Sequence, residues 1–358
     1  MANGSPLRTV NHSRSLILLE LPKQERAIRG FKVAPFVAQL EIAWNAVLDQ
    51  ASNATLMHRR SFLEYHGEGF EDCSLLIFLG DRPVAVFPAH HEAGQVHSHK
   101  GLGYAGLIYQ KKLSFHQVLE IYRLILRHFE SLGMKDIHLK ETPSFYGDTS
   151  QELTSYLLFL AHSEVEKMEL SLAIPLPMKV RHASRKNGIH QAKKAGLVIR
   201  EPGDFKAFWN EVLIPNLRDR HQTSPLHSLA DIGYLAQNHK GLIRQFNIYL
   251  DEELVAGATV FVTRHSVHTQ YLATTKKGRS LHALDFLIYW LCEEVFPEKR
   301  YFDFGHSNEE DRQKINWGLF RWKESFGAIP FVHRYFRVPT EGWKKLDEML
   351  GHGPIGLI

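Results

Sequence analysis

The sequence predicts an α/β (α+β) fold in which one unit, a β-hairpin followed by strand, helix and strand, occurs twice, with mixed central sheets flanked by helices. Short β-branched and aromatic runs bounded by Gly, Asp and Pro alternate with longer amphipathic stretches. Matching features of the two halves (Leu79 with Leu250, Leu113 with Leu281, Asp136 with Arg300) lie 164 to 171 positions apart, the signature of an internal duplication. With 358 residues, 44% of them hydrophobic and 23% charged, the chain can bury two large cores. Such a composition excludes disordered, collagen-like and coiled-coil chains.

In the first half, Ser74–Leu79, a turn at Gly80-Asp81-Arg82 and Pro83–Ala89 read as a hairpin. Leu107–Tyr109 is a further strand. Val118, Ile121, Tyr122, Ile125, Phe129 and Leu132 mark a helix over Ser114–Leu132, closed by Gly133, and Ile137–Leu139 is the next strand. The second half repeats the order: Phe246–Leu250, a turn at Asp251–Glu253, Leu254–Thr263, Val267–Thr274, a helix over Leu281–Val295 and a strand at Tyr301–Phe304 ending on Gly305. Phe36, Leu40, Trp44, Val47 and Leu48 support one N-terminal helix, and the Glu341–Ile358 tail is expected to end flexibly.

The formal net charge is +4, from 43 Lys and Arg against 39 Asp and Glu. Seven of the basic residues (Lys179, Arg181, Arg185, Lys186, Lys193, Lys194 and Arg200) fall between the two halves, in a stretch with no acidic residue. The rest of the chain is therefore slightly acidic, and the basic stretch implies an anionic partner. His182, Lys186, His190 and Lys194 recur at helical spacing, with Gly196 as a stop.

Nothing in the sequence reads as a membrane span. Leu16–Leu19 is too short for a signal-peptide core, and Leu284–Val295 carries Asp285, Glu293 and Glu294 and falls below the ~20 residues needed to cross a bilayer. The expected location is cytoplasmic. Two cysteines, Cys73 and Cys292, exclude a disulfide framework and a Cys-built zinc site.

The duplicated unit, the basic Arg181–Gly196 segment, the Tyr301-Phe-Asp-Phe-Gly305 strand and the closing Gly318-Leu-Phe-Arg-Trp-Lys-Glu-Ser-Phe-Gly327 resemble the FemAB-like branch of the GNAT acyltransferases, over roughly Ser61 to Val338. The resemblance implies tandem GNAT-like domains at 1–175 and 201–358 joined by a basic helical connector at 176–200. It also implies transfer of an acyl or aminoacyl group to an amine. The donor, acyl-CoA or aminoacyl-tRNA, would be a co-substrate and no cofactor would be tightly bound. The acceptor amine would sit on a cell-envelope precursor, UDP- or lipid-linked, or on a small metabolite. A non-catalytic anion-binding protein of the same fold is the alternative from another class.

GNAT proteins hold the donor's pyrophosphate at a helix N-terminus, and the matching stretch is Lys276, Lys277, Gly278, Arg279 and Ser280. It departs from the usual pattern at Thr275 and Ser280. The first half offers Tyr109–Ser114 there, with no glycine, so donor chemistry is expected in the second half. Aminolysis needs a proton acceptor and donors for an oxyanion. Asp303 and His306, at the end of a strand, are candidates for orienting or deprotonating the amine, and Tyr271 for donating to an oxyanion or leaving group. Arg181, Arg185 and Lys186 suit a diphosphate or nucleic-acid backbone, and Lys323 a phosphate or carboxylate.

Other signals fail on their own chemistry. His90-His91 and His97-Ser98-His99 have no neighbouring Cys and the chain holds no His-x-x-x-His pair, so no metal site is expected. Neither a Gly-x-Ser-x-Gly elbow nor a P-loop occurs. Gly101-x-Gly103-x-x-Gly106 is not followed by the helix that a dinucleotide fingerprint opens.

Overall fold

A computed structural model describes residues 30–351 apart from 66–68, 70, 100, 149–151 and 310–313. The Leu16–Leu19 run and the end of the C-terminal tail lie outside the described residues. In the first half the strands are β1 (Phe31–Pro35), β2 (Glu71–Asp72), β3 (Leu75–Leu79), β4 (Arg82–Phe87), β5 (His90–Glu92), β6 (Gln95–His97), β7 (Ile108–Tyr109), β8 (Asp136–Lys140) and β9 (Glu164–Pro175). The second half contributes β10 (Val198–Arg200), β11 (Ile243–Leu250), β12 (Glu253–Val262), β13 (Ser266–Thr274), β14 (Tyr301–His306) and β15 (Ile329–Pro339).

Hairpins β3–β4 and β11–β12 form where the alternating runs and their turns place them. The Phe115–Ser131 helix is fixed at its start by reciprocal bonds, Gln117 N–H to Ser114 Oγ and Ser114 N–H to Gln117 Oε1, a capping box worth about 1 kcal/mol. Its inward residues Val118, Ile121, Tyr122, Ile125 and Phe129 are buried against β3, β4 and β8.

Strands β1-β3-β4-β7 form one antiparallel sheet. The others form a single sheet in the order β10-β11-β12-β13-β14-β9-β15-β8-β6-β5-β2. The middle of that order shows an exchange. The last strand of the first half, β9, lies between β14 and β15 of the second half, while β15 lies between β9 and β8. Each half therefore completes the other's sheet, and no cut along the backbone separates them without breaking strand ladders.

Several expectations are corrected by packing. The helix expected over Leu281–Val295 runs over Ala283–Trp290 and widens at Leu291–Val295; a separate short helix, Lys276–Ser280, precedes it, and His282 between them adopts a left-handed conformation (φ 56°). At the N-terminus the helix spans Glu41–Gln50, and Phe36 precedes it, set edge-on to Trp44 at 5.4 Å. Within the tail, Trp343–Gly351 is helical, buries Leu346 and bonds the Phe115–Ser131 helix through Asp347 to Arg123 (3.0 Å) and Trp343 to Glu130 (2.6 Å), while the end expected to be flexible lies outside the described residues. The hairpin β5–β6 was not anticipated and accounts for the clustered histidines: His90 stacks on His97, and His97 on His138 at 4.9 Å.

Candidate active site

Strands β13 and β14 run parallel for only three pairs, Ser266–Tyr301, Val267–Phe302 and His268–Asp303. β13 then continues six residues to Thr274 while β14 ends at His306, so an opening forms between them just past His268 and Asp303. A bulge shapes the same region: Thr259 pairs with Tyr271 but Val260 with Thr269, leaving Gln270 unpaired. The extra residue shifts the alternation, so Tyr271 and Ala273 share a face with His268 rather than opposing it.

In the first half the corresponding parallel pairing is made by β6, with His97 opposite His138. The opening beyond it is closed. Ala105 pairs with Glu141, the Ala105 N–H donates to the Lys140 carbonyl (2.9 Å) and Thr142 Oγ1 donates to the Ala105 carbonyl (2.9 Å).

Asp303 is 2% exposed and lies at the centre of a hydrogen-bond network. Its Oδ2 accepts from His268 Nδ1 at 2.7 Å and from Tyr146 Oη at 2.6 Å, and its Oδ1 accepts the Gly305 N–H at 2.7 Å. Burial pushes this carboxyl up, but the His268 charge and the His268, Tyr146 and Gly305 bonds outweigh it and hold Asp303 below the ordinary carboxylate range. An ionised carboxylate only accepts, so His268 Nδ1 carries a proton, and in the neutral ring Nε2 is the nitrogen with the lone pair. The His268 side chain retains 20% exposure.

Beneath the end of β14, Lys323 projects from the Trp317–Ser325 helix and donates to the carbonyls of Gly305 (2.9 Å) and His306 (2.6 Å). It is 3% exposed. Burial lowers its ammonium to about 8, against the opposing pull of Asp303.

The structure distributes the sequence-derived candidates unevenly. Asp303 pairs with His268, which the sequence reading missed, and not with His306, which sits exposed at the strand end. The Tyr271 hydroxyl accepts the His227 N–H (2.9 Å) and bonds His227 Nδ1 (2.7 Å), and burial raises it. Lys323 meets backbone carbonyls, where a phosphate or carboxylate was expected. Arg185 is likewise committed: it donates to buried Asp285 (2.7 Å) and to Ser325 Oγ (2.9 Å), while Arg181 and Lys186 remain exposed on the surface. Gly188 belongs to the same contact, since a Cβ there would come within 2.5 Å of Asp285 Oδ2.

The stretch expected to cradle a pyrophosphate is also built differently. Thr275 Oγ1 accepts the Gly278 N–H at 3.0 Å. Gly278 is pressed against β12, where a Cβ would lie 2.2 Å from the Val255 carbonyl oxygen. Its missing side chain therefore lets the helix sit against the strand. Lys277 pairs with Glu253, Ser280 Oγ donates to the Lys277 carbonyl, and Lys276 and Arg279 are exposed.

Among the described residues, no group of three or more His, Cys, Asp or Glu side chains is placed to hold a metal ion, and no helix is long and apolar enough to cross a membrane. Both cysteines are free. Burial pushes the Cys73 thiol up to about 12 and that of Cys292 well above its ordinary value, which makes neither a nucleophile.

No family model matches the chain, and no curated protein matches it. Solved structures do. FemX aligns with a TM-score of 0.63 at 9% identity, covering 86% of this chain and 97% of FemX. The C-terminal domain of a protein described as a lysylphosphatidylglycerol synthetase, from Agrobacterium fabrum, aligns at 0.55 and 11% identity, over 90% of this chain and 99% of the domain. L-PGS from Bacillus licheniformis aligns at 0.55 and 13%, over 86% and 96%. At these identities the likeness is one of fold, and it extends over most of both chains. The chain therefore shares the fold of FemX and of the lysylphosphatidylglycerol synthetase domain.

Proposed function

We propose that this chain is a transferase that moves an acyl or aminoacyl group to an amine in the opening between β13 and β14. The observation that carries this reading is the His268–Asp303 pair at the point where the strands part. The name of one fold neighbour, a protein described as a lysylphosphatidylglycerol synthetase, favours an aminoacyl group and a lipid-linked acceptor, and the resemblance read from the sequence adds a UDP-linked cell-envelope precursor. An acyl-CoA thioester donor and a small amine are the other version of the same chemistry.

The amine nitrogen attacks the donor's carbonyl carbon and forms the C–N bond. The nitrogen's proton passes to His268 Nε2, and the C–O or C–S bond breaks as the leaving oxygen or sulfur takes that proton back. Asp303 holds the ring in the required tautomer and stabilises the transient imidazolium. Lys323 holds the Gly305 and His306 carbonyls and so fixes the end of β14 beside Asp303.

The test supplies acetyl-coenzyme A or lysyl-tRNA as donor with an amine acceptor, following free thiol or deacylated tRNA. His268→Ala is expected to lower transfer by about 10²-fold or more in protein that remains folded by circular dichroism. Absence of turnover and of thermal stabilisation with both donors refutes the reading.

A further inference from the structure

Tyr146 belongs to the half of the chain that lacks the opening, yet its hydroxyl ends on Asp303. We infer that Tyr146 is a positioning residue for the His268–Asp303 pair, so that a single site is assembled from both halves; this rests on the acyl-transfer reading above.

Contacts from both halves hold this tyrosine in place. Tyr146 closes the short turn Ser144–Tyr146 that follows β8. Ser266 Oγ, at the start of β13, donates to the Phe145 carbonyl at 2.6 Å and ties that turn to the second half. The Tyr146 ring stacks on Tyr104 with centroids 4.7 Å apart, and Tyr104 Oη donates to Thr55 Oγ1 at 3.2 Å. Tyr146 is 2% exposed. Burial, followed by the Asp303 charge, raises its hydroxyl well above the ordinary value, so it stays a donor.

Two donors thus converge on one oxygen, Asp303 Oδ2. The Tyr146 bond fixes the carboxylate in line with His268 and draws negative charge away from the imidazole. The titratable groups facing Asp303 are His268 on β13, Tyr146 and Tyr104 from the first half, and Lys323 from the helix beneath. Without the Tyr146 hydroxyl, the carboxylate's charge falls more heavily on His268 and favours the imidazolium, which cannot accept a proton from the amine.

The experiment follows His268 in the full-length protein by nitrogen-15 NMR, with no substrate added. In wild type the Nδ1–H tautomer is expected. In Tyr146→Phe, which keeps the ring, the His268 titration is expected to move to higher pH. A 3,5-difluorotyrosine at position 146, a stronger hydrogen-bond donor of nearly the same shape, is expected to move it the opposite way. In an Asp303→Asn background, Tyr146→Phe should have no further effect, because Tyr146 acts through Asp303.

An unchanged His268 titration in both position-146 variants overturns the inference, as does an additive effect in the Asp303→Asn background. None of these readouts needs turnover, so failure of the transferase reading and failure of this one are distinguishable.

Discussion

Replacing Lys323 with Met gives a stability difference whose pH dependence follows from burial. In the folded chain the Lys323 ammonium, lowered by burial, loses its proton at about 8, against an ordinary value of 10.5. Between those two values the unfolded chain holds a proton that the folded chain has released, so raising the pH favours folding. The contribution is fully present above the unfolded value and is lost as the pH falls through the folded one. Each pH unit in that window is worth about 1.4 kcal/mol, which totals about 3 kcal/mol. Lys323→Met removes this dependence. It also leaves the Gly305 and His306 carbonyls without their donor, but that cost does not vary with pH. Denaturant unfolding of both proteins at intervals from pH 7 to 10.5 measures the difference directly. Wild type minus variant should be flat below pH 8 and then rise by about 3 kcal/mol. A flat difference across the window would show that no buried ammonium sits beneath β14.

Two further substitutions test what the basic and glycine-containing stretches do. Gly278→Ala forces a Cβ against the Val255 carbonyl at 2.2 Å and should cost about 1–3 kcal/mol, read as a lower unfolding midpoint; an unchanged midpoint returns this glycine to the role of cradling a phosphate. Arg185→Met leaves Asp285, 4% exposed, without its guanidinium, and should cost about 3 kcal/mol, part of which Asp285→Asn recovers. If Arg185→Met instead unfolds like wild type and weakens binding of inorganic pyrophosphate, Arg185 is an anion-binding residue.

Local pattern carried the elements whose partners are near in sequence. The Phe115–Ser131 helix has a polar cap and an apolar face, and β3–β4 and β11–β12 are hairpins with their turns written between them. The exchange of β9 and β15 has no local signature, because β15 pairs with β8 and β9 by matching residues far away in the chain. The same limit shaped the site. Asp303 was legible as a lone acid in an apolar strand, but its partner depends on the register of β13 against β14. That register selects His268, where proximity in sequence favoured His306. Glycine was informative in kind and misleading in role: Gly278 and Gly188 each mark a close approach of helix to strand or helix, which sequence alone does not distinguish from a ligand's approach.

The exchanged strands also set a timetable for synthesis. β8 is made early, but its antiparallel partner β15 ends at Pro339, so most of the second half must leave the ribosome before that edge is covered. Until then β8 and β9 offer open strand edges to any other nascent chain. The first half therefore cannot mature as it emerges, and its sheet must wait for β15. A chain terminated before Ile329 would keep nearly every core residue and still expose those edges, which makes premature termination a route to aggregation.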